Sequence, residues 1–479
     1  MHEPVMISRK SFYCLLGGTF LAVVLTINFV HQVSAKDTAP EDAYGSLREF
    51  TDVIALVQKN YVSDVNVKGL VEGAIKGMLV TLDPHSSYLT QDSYRDLQVE
   101  TKGEFGGLGI EITVKDGLLT VVAPIEDSPA FRAGVKSGDQ IIKIGDEFTR
   151  ELSIGDAVKK MRGPKGTPIT ISVHRENIKE LIPLTVVRDV IRVKSVRSRE
   201  LEQGFGYVRL AQFQEGSADE FVAAIQELAK KQKDRKLHGL VLDLRNNPGG
   251  LLTQAIRVSD IFLEDGLVVY TDGRLESQKQ KYYAHKDGDE PKYPIIVIVN
   301  GGSASAAEIV AGALQDAKSA LILGTQTFGK GSVQTILPMD DGAALRLTTA
   351  LYYTRNGRSI QAQGITPDVI IQAERFQKDT EELLETEPVE PLKESDLPGA
   401  IPNPKNKEEK KHSSGAAPAR GVKAPGTPPP STSELMSMDL KELLKLDPQL
   451  NEALHLLKTW HVFKATPASE TKAEVSAGV

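Results

Sequence analysis

Ile295-Ile296-Val297-Ile298-Val299 leads into Asn300-Gly301-Gly302-Ser303-Ala304-Ser305, and Ala306-Ala307-Glu308-Ile309-Val310 follows. Five consecutive β-branched residues with no polar member predict a strand buried on both faces. The small residues after it make a turn, and the run from Ala306 to Leu314 reads as a helix. Strand, turn and helix in that order point to an α/β core, and such turns are where α/β enzymes display nucleophiles. Three roles stay open for Ser305. With Glu308 three residues on, it fits a capping box. Its small neighbours also allow close helix–strand packing. At a helix N-terminus, finally, the dipole favours charge developing on a nucleophilic oxygen.

The same alternation extends outward from about 200 to 374. Tyr207 to Leu210 is a predicted strand, Ala218 to Leu228 a helix, Gly239 to Leu244 a strand and Leu252 to Phe262 a helix. Asp243-Leu244-Arg245-Asn246-Asn247-Pro248-Gly249-Gly250 leaves its strand through a glycine turn, the right chemistry for a backbone oxyanion hole. A plain strand-to-helix turn explains it equally well. Thr327-Phe328-Gly329-Lys330-Gly331-Ser332-Val333-Gln334 follows the strand Ala320 to Gly324. Glycines on either side of Lys330 let the backbone approach another element closely. It is not a phosphate loop, because the Lys-Ser pair is interrupted and a strand follows. None of the nine histidines sits in a glycine-bracketed turn near the core strand ends. His238 starts a strand and His285 lies in a polar loop, so a Ser-His-Asp triad has no support.

Residues 98–182 have a different texture, short strands with glycine turns. Gly106-Gly107-Leu108-Gly109-Ile110 opens the strand Ile110 to Val114, and Gly138-Asp139-Gln140-Ile141-Ile142 comes later. Successive N–H groups in a glycine turn form an anion-binding concavity beside a strand edge that an extended peptide can join. Residues 41–97 read as helical, with Leu47, Phe50, Val53, Ile54 and Val57 at helical spacing. Residues 376–434 are rich in Pro, Glu, Lys and Ser and read as a disordered linker. Leucines from Leu440 to Leu457 restore an amphipathic helical pattern over 435–465.

Arg9 and Lys10 precede an uncharged apolar stretch from Ser11 to Val30, and Val33-Ser34-Ala35 has the small residues of a cleavage site. Residues 1–35 therefore read as a signal peptide or a signal anchor, which places the rest in the periplasm or another extracytoplasmic space, anchored to the inner membrane if uncleaved. Lys and Arg number 57 against 64 Asp and Glu, for a net charge of −7, so nothing argues for nucleic acid. The single cysteine, Cys14, excludes an internal disulfide and a cysteine metal site. No metal or cofactor is expected.

Taken together, these segments resemble the carboxy-terminal processing peptidases, also called tail-specific proteases, from about 45 to 375. The strand-rich insert resembles a PDZ domain. The resemblance implies a crotonase-like α/β peptidase core (183–375) with an inserted PDZ-like β-rich domain (98–182) and helical terminal extensions. It implies Ser305 as nucleophile, Lys330 as its base and Gln334 as the residue that orients the lysine. It also implies the backbone of Gly249, Gly250 and Ala306 as oxyanion hole, and a supporting Asp316. Gly107, Leu108, Gly109 and Ile110 match the carboxylate-binding loop, and Arg162 is a candidate gating residue. Leu82 to Tyr88 and Gln363 to Asp368 match family motifs taken to lie outside the site. Two departures are Ala307, where many members have serine, and Pro248, which removes one possible N–H donor.

The expected activity is serine-type endopeptidase action on proteins with apolar C-termini, and the expected partners are such substrates, an adaptor or activator protein and a second copy of the chain, met through the apolar stripes of the terminal helices at 41–79 and 435–463. The rival reading is an inactive PDZ scaffold serving another protease. A third is a crotonase-like acyl-CoA enzyme, which export and the PDZ-like insert oppose. The lysine sets a definite demand. Removing its proton at pH 7 from a normal pKa of ~10.4 costs ~4–5 kcal/mol, so burial must disfavour the charged form.

Overall fold

A computed structural model describes residues 41–115, 117–125, 127–286, 288, 290–372, 391–404 and 438–465. The apolar N-terminal segment, Cys14 and the Val33–Ala35 site lie outside the described residues. Among the described residues no helix is long and apolar enough to cross a membrane.

The quoted run folds as read, strand Ile295–Val299 and helix Ala306–Asp316. It occupies the middle of a six-stranded sheet. In sheet order the strands are Val196–Glu202, Phe205–Leu210, Gly239–Asp243, Ile295–Val299, Leu321–Gly324 and Val369–Ile370. All pairings but the first are parallel, with Leu240 opposite Ile295 and Ile296 opposite Leu321. The period-two alternation of a strand divides its side chains between two cores. Leu240, Leu242, Val297 and Val299 meet the helices Ser217–Lys230, Leu252–Asp260 and Ala306–Asp316. Val241, Ile296, Ile298 and Leu323 face the other way, onto Leu443, Leu450, Leu454 and Leu457. The C-terminal helices Leu440–Leu446 and Pro448–Ala465 thus cover the second face of their own sheet. This corrects the expectation that their apolar stripe needs a second copy. A sheet with helices on one side only leaves its other face to be buried, and the nearest apolar stripe does so.

A second, antiparallel sheet is centred on the long strand Ala344–Thr354, flanked by Ser87–Leu89, Gly266–Gly273 and Ser332–Pro338. The insert forms its own antiparallel sheet of Ile110–Lys115, Leu118–Pro124, Gln140–Ile144, Pro168–His174 and Ile182–Val187. Its core is Leu108, Val121, Ile141, Ile171, Val173 and Val186. Glu104–Gly107 pairs with Asp189–Arg192 where the chain enters and leaves the insert. A boundary at 182 therefore cuts off the last strand, which alternates like a core strand and gives no compositional cue. Residues 41–77 form a separate compact unit containing helix Glu41–Asn60, whose Tyr44, Leu47, Phe50, Val53 and Leu56 are exposed.

One part of the expected 376–434 linker is ordered. Residues 391–404 pack on the core, with Glu394 and Asn403 buried. Composition is an average over the stretch and hides a short segment anchored by a few buried polar groups. Residues 376–390 and 405–434 lie outside the described residues.

Candidate active site

Three turns leave the C-terminal ends of adjacent parallel strands, the edge where open α/β sheets place their sites. They run from Asp243 to Gly250, from Val299 to Ser305 and from Gly324 to Lys330. Hydrogen bonds lock them together. The Ala304 N–H donates to the Asn247 carbonyl (2.9 Å) and the Phe328 N–H to the Ser303 carbonyl (3.1 Å). Ser303 Oγ donates to the Leu244 carbonyl at 2.7 Å.

Ser305 is half-buried and has φ +55° and ψ −113°, a strained conformation for a residue with a Cβ. Strain of this kind persists only where surrounding contacts impose it. Here the contact is Glu308, whose Oε2 accepts the Ser305 N–H at 2.8 Å. The Glu308 N–H goes to the Ser305 carbonyl, so Oγ is not spent on the helix cap. The capping reading and the nucleophile reading are therefore compatible, with the glutamate doing the capping.

Glu308 is completely buried and accepts four hydrogen bonds. Besides Ser305, they come from Thr327 Oγ1, the Gly329 N–H (2.7 Å) and the Lys330 N–H (2.9 Å). One carboxylate thus holds the Ser305 turn and the lysine loop. Burial pushes its pKa up to about 7 against the pull of these four donors. The sequence showed Glu308 only as a cap partner. Its complete burial with no ion pair among the described residues is the signal that no spacing could reveal.

Gly249 and Gly250 have φ +104° and +134°. A Cβ on Gly249 would lie 2.8 Å from the Ser305 Cβ and 3.0 Å from the Ala306 nitrogen. A side chain there is excluded on both conformational and steric grounds. The Gly249 N–H donates to Asn247 Oδ1 at 2.9 Å. Its contribution is close approach, not donation, which corrects the expectation that it supplies an oxyanion donor. The Gly250 and Ala306 N–H groups have no hydrogen-bond partner among the described residues.

Lys330 is half-buried, and its Nζ makes no hydrogen bond among the described residues. Burial holds the ammonium below the usual lysine range and Arg346 adds to that, while Glu394, Asp83 and Glu308 oppose it. Gln334 does not orient it in this structure. Its Nε2 donates to Ser332 Oγ (2.9 Å) and Thr348 Oγ1 (3.4 Å). A bulge between Val333 and Gln334 shifts the pairing with Ala344–Thr354 and sets the glutamine toward those hydroxyls.

The motif at 82–88, expected outside the site, lies beside the lysine. Asp83 is buried, accepts from the His85 and Ser86 N–H groups and from Thr348 Oγ1, and acts on Lys330 electrostatically. The 363–368 motif also braces the site. The Ile365 N–H donates to Thr327 Oγ1, and a Cβ on Gly364 would lie 2.6 Å from that oxygen. His238 precedes the strand Gly239–Asp243, at the opposite edge of the sheet from the three turns. Asp316 accepts from Thr354 Oγ1 (2.6 Å) and Arg358 (3.1 Å), tying the helix end to the antiparallel sheet.

The C-terminal helices reach the Asp243–Gly250 turn through charge. Asp243 is completely buried against Arg245, which also pairs with Asp447 at 2.7 Å. Burial works against the Asp243 charge, yet Arg245 and Arg209 bring its pKa down to about 2.

In the insert, Gly107, Leu108, Gly109 and Ile110 line a cavity of about 210 Å³ with Phe105, Ile112, Val158 and Met161. The Leu108 and Gly109 N–H groups have no hydrogen-bond partner among the described residues. Arg162 lies over the Phe105 ring and pairs with Asp96 at 2.6 Å, on helix Gln91–Lys102. That helix also touches the core, since Gln212 Nε2 donates to Glu100 and the Glu215 N–H to the Thr101 carbonyl. Phe213, between them, is bonded to the glycine turn through the Gly249 carbonyl. Among the described residues no group of three or more His, Cys, Asp or Glu side chains is arranged to hold a metal ion.

Residues 204–371 match peptidase family S41, residues 120–175 a PDZ domain, and residues 16–93 the N-terminal domain of the activating protease CtpB. The sequence is 47% identical over 367 residues to a carboxy-terminal-processing protease of Bartonella bacilliformis, covering 77% of this chain and 83% of that one. It is 34% identical over 385 residues to the carboxy-terminal processing protease CtpB of Bacillus subtilis, covering 78% of each. Among solved structures, the photosystem II D1 C-terminal processing protease matches with 28% identity and a TM-score of 0.40, over 67% of this chain and 92% of that one.

Proposed function

The chain belongs to peptidase family S41, as a carboxy-terminal processing serine protease with a PDZ domain, and from that premise we propose that Ser305 is its nucleophile and Lys330 its general base. The observation that carries the reading is Glu308. Its Oε2 accepts both the Ser305 and the Lys330 N–H, so one buried oxygen fixes the relative position of the two residues. A neutral Lys330 takes the Ser305 proton as Oγ attacks the scissile carbonyl, and the oxyanion meets the Gly250 and Ala306 N–H groups. The leaving amine takes that proton, and water activated by Lys330 releases the acyl group.

The substrate is a protein with an apolar C-terminus. Its carboxylate docks on the unpartnered Leu108 and Gly109 N–H groups and its last side chain enters the cavity beside Ile112 and Met161. Arg162 and helix Gln91–Lys102 pass tail binding to the glycine turn through Phe213. Export by the N-terminal segment and pairing of two copies through the exposed stripe of Glu41–Asn60 complete the reading.

The test is degradation of an unfolded protein with an apolar tail, together with labelling of Ser305 by a fluorophosphonate. Ser305→Ala and Lys330→Ala should each lower turnover by on the order of 10³-fold or more with unchanged thermal melting. Turnover that persists in Lys330→Ala would overturn the assignment of the base.

A further inference from the structure

Residues 391–404 sit on the lysine loop, although they lie beyond the matched peptidase region. The Glu394 N–H donates to the Phe328 carbonyl at 3.0 Å. Its carboxylate, completely buried, accepts from Gln361 Nε2 at 2.9 Å and lies 2.9 Å from His85 Nε2 through both oxygens. Gln361 is also completely buried and joins the segment to the loop from the other side. It accepts the Gly331 N–H at 2.9 Å and donates to the Ile401 carbonyl at 3.0 Å, and its own carbonyl accepts from Asn403. Pro391 packs beside Gly301 in the nucleophile turn. The backbone on either side of Lys330 is thus held twice, by Glu308 and by this segment with Gln361.

A clamp needs no charge, and burying a carboxylate is costly unless its oxygens are satisfied. His85 and Gln361 satisfy them. The charge has a second address, because Glu394 leads the anionic groups that favour the Lys330 ammonium. The other charged groups that act on the lysine are Glu308 from its helix, Asp83 from the loop before Ser87–Leu89, and Arg346 from Ala344–Thr354, while the His85 ring faces Glu394.

We propose that residues 391–404 are a strap belonging to the active site, in which Glu394, held by His85 and Gln361, is a positioning residue for the Lys330 loop and sets a negative charge beside that lysine. This rests on Lys330 being the base. It makes the strap part of the protease, not a spacer, and gives the lysine a balance of opposed charges.

The test is the pH dependence of kcat/KM on a quenched fluorescent peptide with an apolar C-terminus, using the full chain. Glu394→Gln keeps the acceptor for Gln361 and a contact for His85 but removes the charge. It should move the acid limb to lower pH by about half a unit or more. Glu394→Asp should return the limb toward the wild-type position. Asn403→Ala loosens the strap without touching the charge and should lower kcat/KM by about tenfold with the limb unmoved. An unmoved limb in Glu394→Gln overturns the charge role, and full activity in Asn403→Ala overturns the strap. Lys330→Ala run alongside separates the levels. Activity there refutes the base itself, whereas an inactive Lys330→Ala with unaltered strap variants refutes the strap alone.

Discussion

The Ser305 turn and the Lys330 loop are held by the same carboxylate, yet they differ in what their side chains are given. At Ser305 the backbone is strained, Gly249 leaves no room for a Cβ beside that of the serine, and two nearby N–H groups have no partner among the described residues. At Lys330 the backbone is equally fixed, but Nζ has no hydrogen bond among the described residues and Gln334 bonds two hydroxyls. The serine's surroundings are geometric. The lysine's surroundings are electrostatic, a sum of burial, Arg346 and three carboxylates. Geometry of this sort is built once on folding, whereas a charge balance can be shifted by one residue.

Breaking the shared anchor should have the largest effect. Glu308→Ala leaves four donors without their acceptor and should cost about 3 kcal/mol or more, read by thermal melting. Because both turns lose their position, turnover should fall by on the order of 10²-fold or more even where the protein is folded. The pH dependence has a definite sign. Glu308 has a folded pKa raised to about 7, above its unfolded value. Its stabilisation is full below the unfolded value and declines as pH rises through about 7. The margin of the wild type over Glu308→Ala should therefore be larger at about pH 5 than at about pH 8.

Gly249→Ala tests the geometric side alone. The added Cβ meets the Ser305 Cβ at 2.8 Å in a backbone conformation that alanine resists. Turnover should fall by about 10²-fold, with labelling of Ser305 falling in parallel and the acid limb of the pH profile in place. A loss confined to KM would show that the glycine turn serves binding instead.

Lys330→Met tests the electrostatic side, with a smaller effect on stability than Glu308→Ala and the opposite sign. It replaces a half-buried ammonium lacking hydrogen bonds with an apolar chain of similar length. Stability at pH 7 should rise by about 0.5–2 kcal/mol while activity is lost. The folded pKa of Lys330 is lowered. The wild type therefore gains stability as pH rises from that value toward the unfolded ~10.4, and the advantage of the variant should narrow over the same range.

Much of this was legible before any coordinates. Five β-branched residues and a small-residue turn announced a buried strand and the helix after it, because period and size act locally. The glycines at 329 and 331 could be read as close approaches for the same reason. What did not show was the partner of each approach. Glu308 looked like a helix cap, His85 like part of a motif away from the chemistry, and Glu394 like one more charge in a linker. Each gains its role from residues at least nineteen positions distant, or hundreds.

The sequence by itself determined the alternating α/β core, the β-rich insert and the serine and lysine as a pair worth testing. Only the tertiary structure decided that Gly249 gives space while the Gly250 and Ala306 N–H groups have no partner among the described residues, that Gln334 bonds two hydroxyls, and that the C-terminal helices cover their own sheet. The physical reason is range. Turn chemistry and strand period are set by neighbours in the chain, whereas burial, charge balance and hydrogen-bond partners are set by neighbours in space.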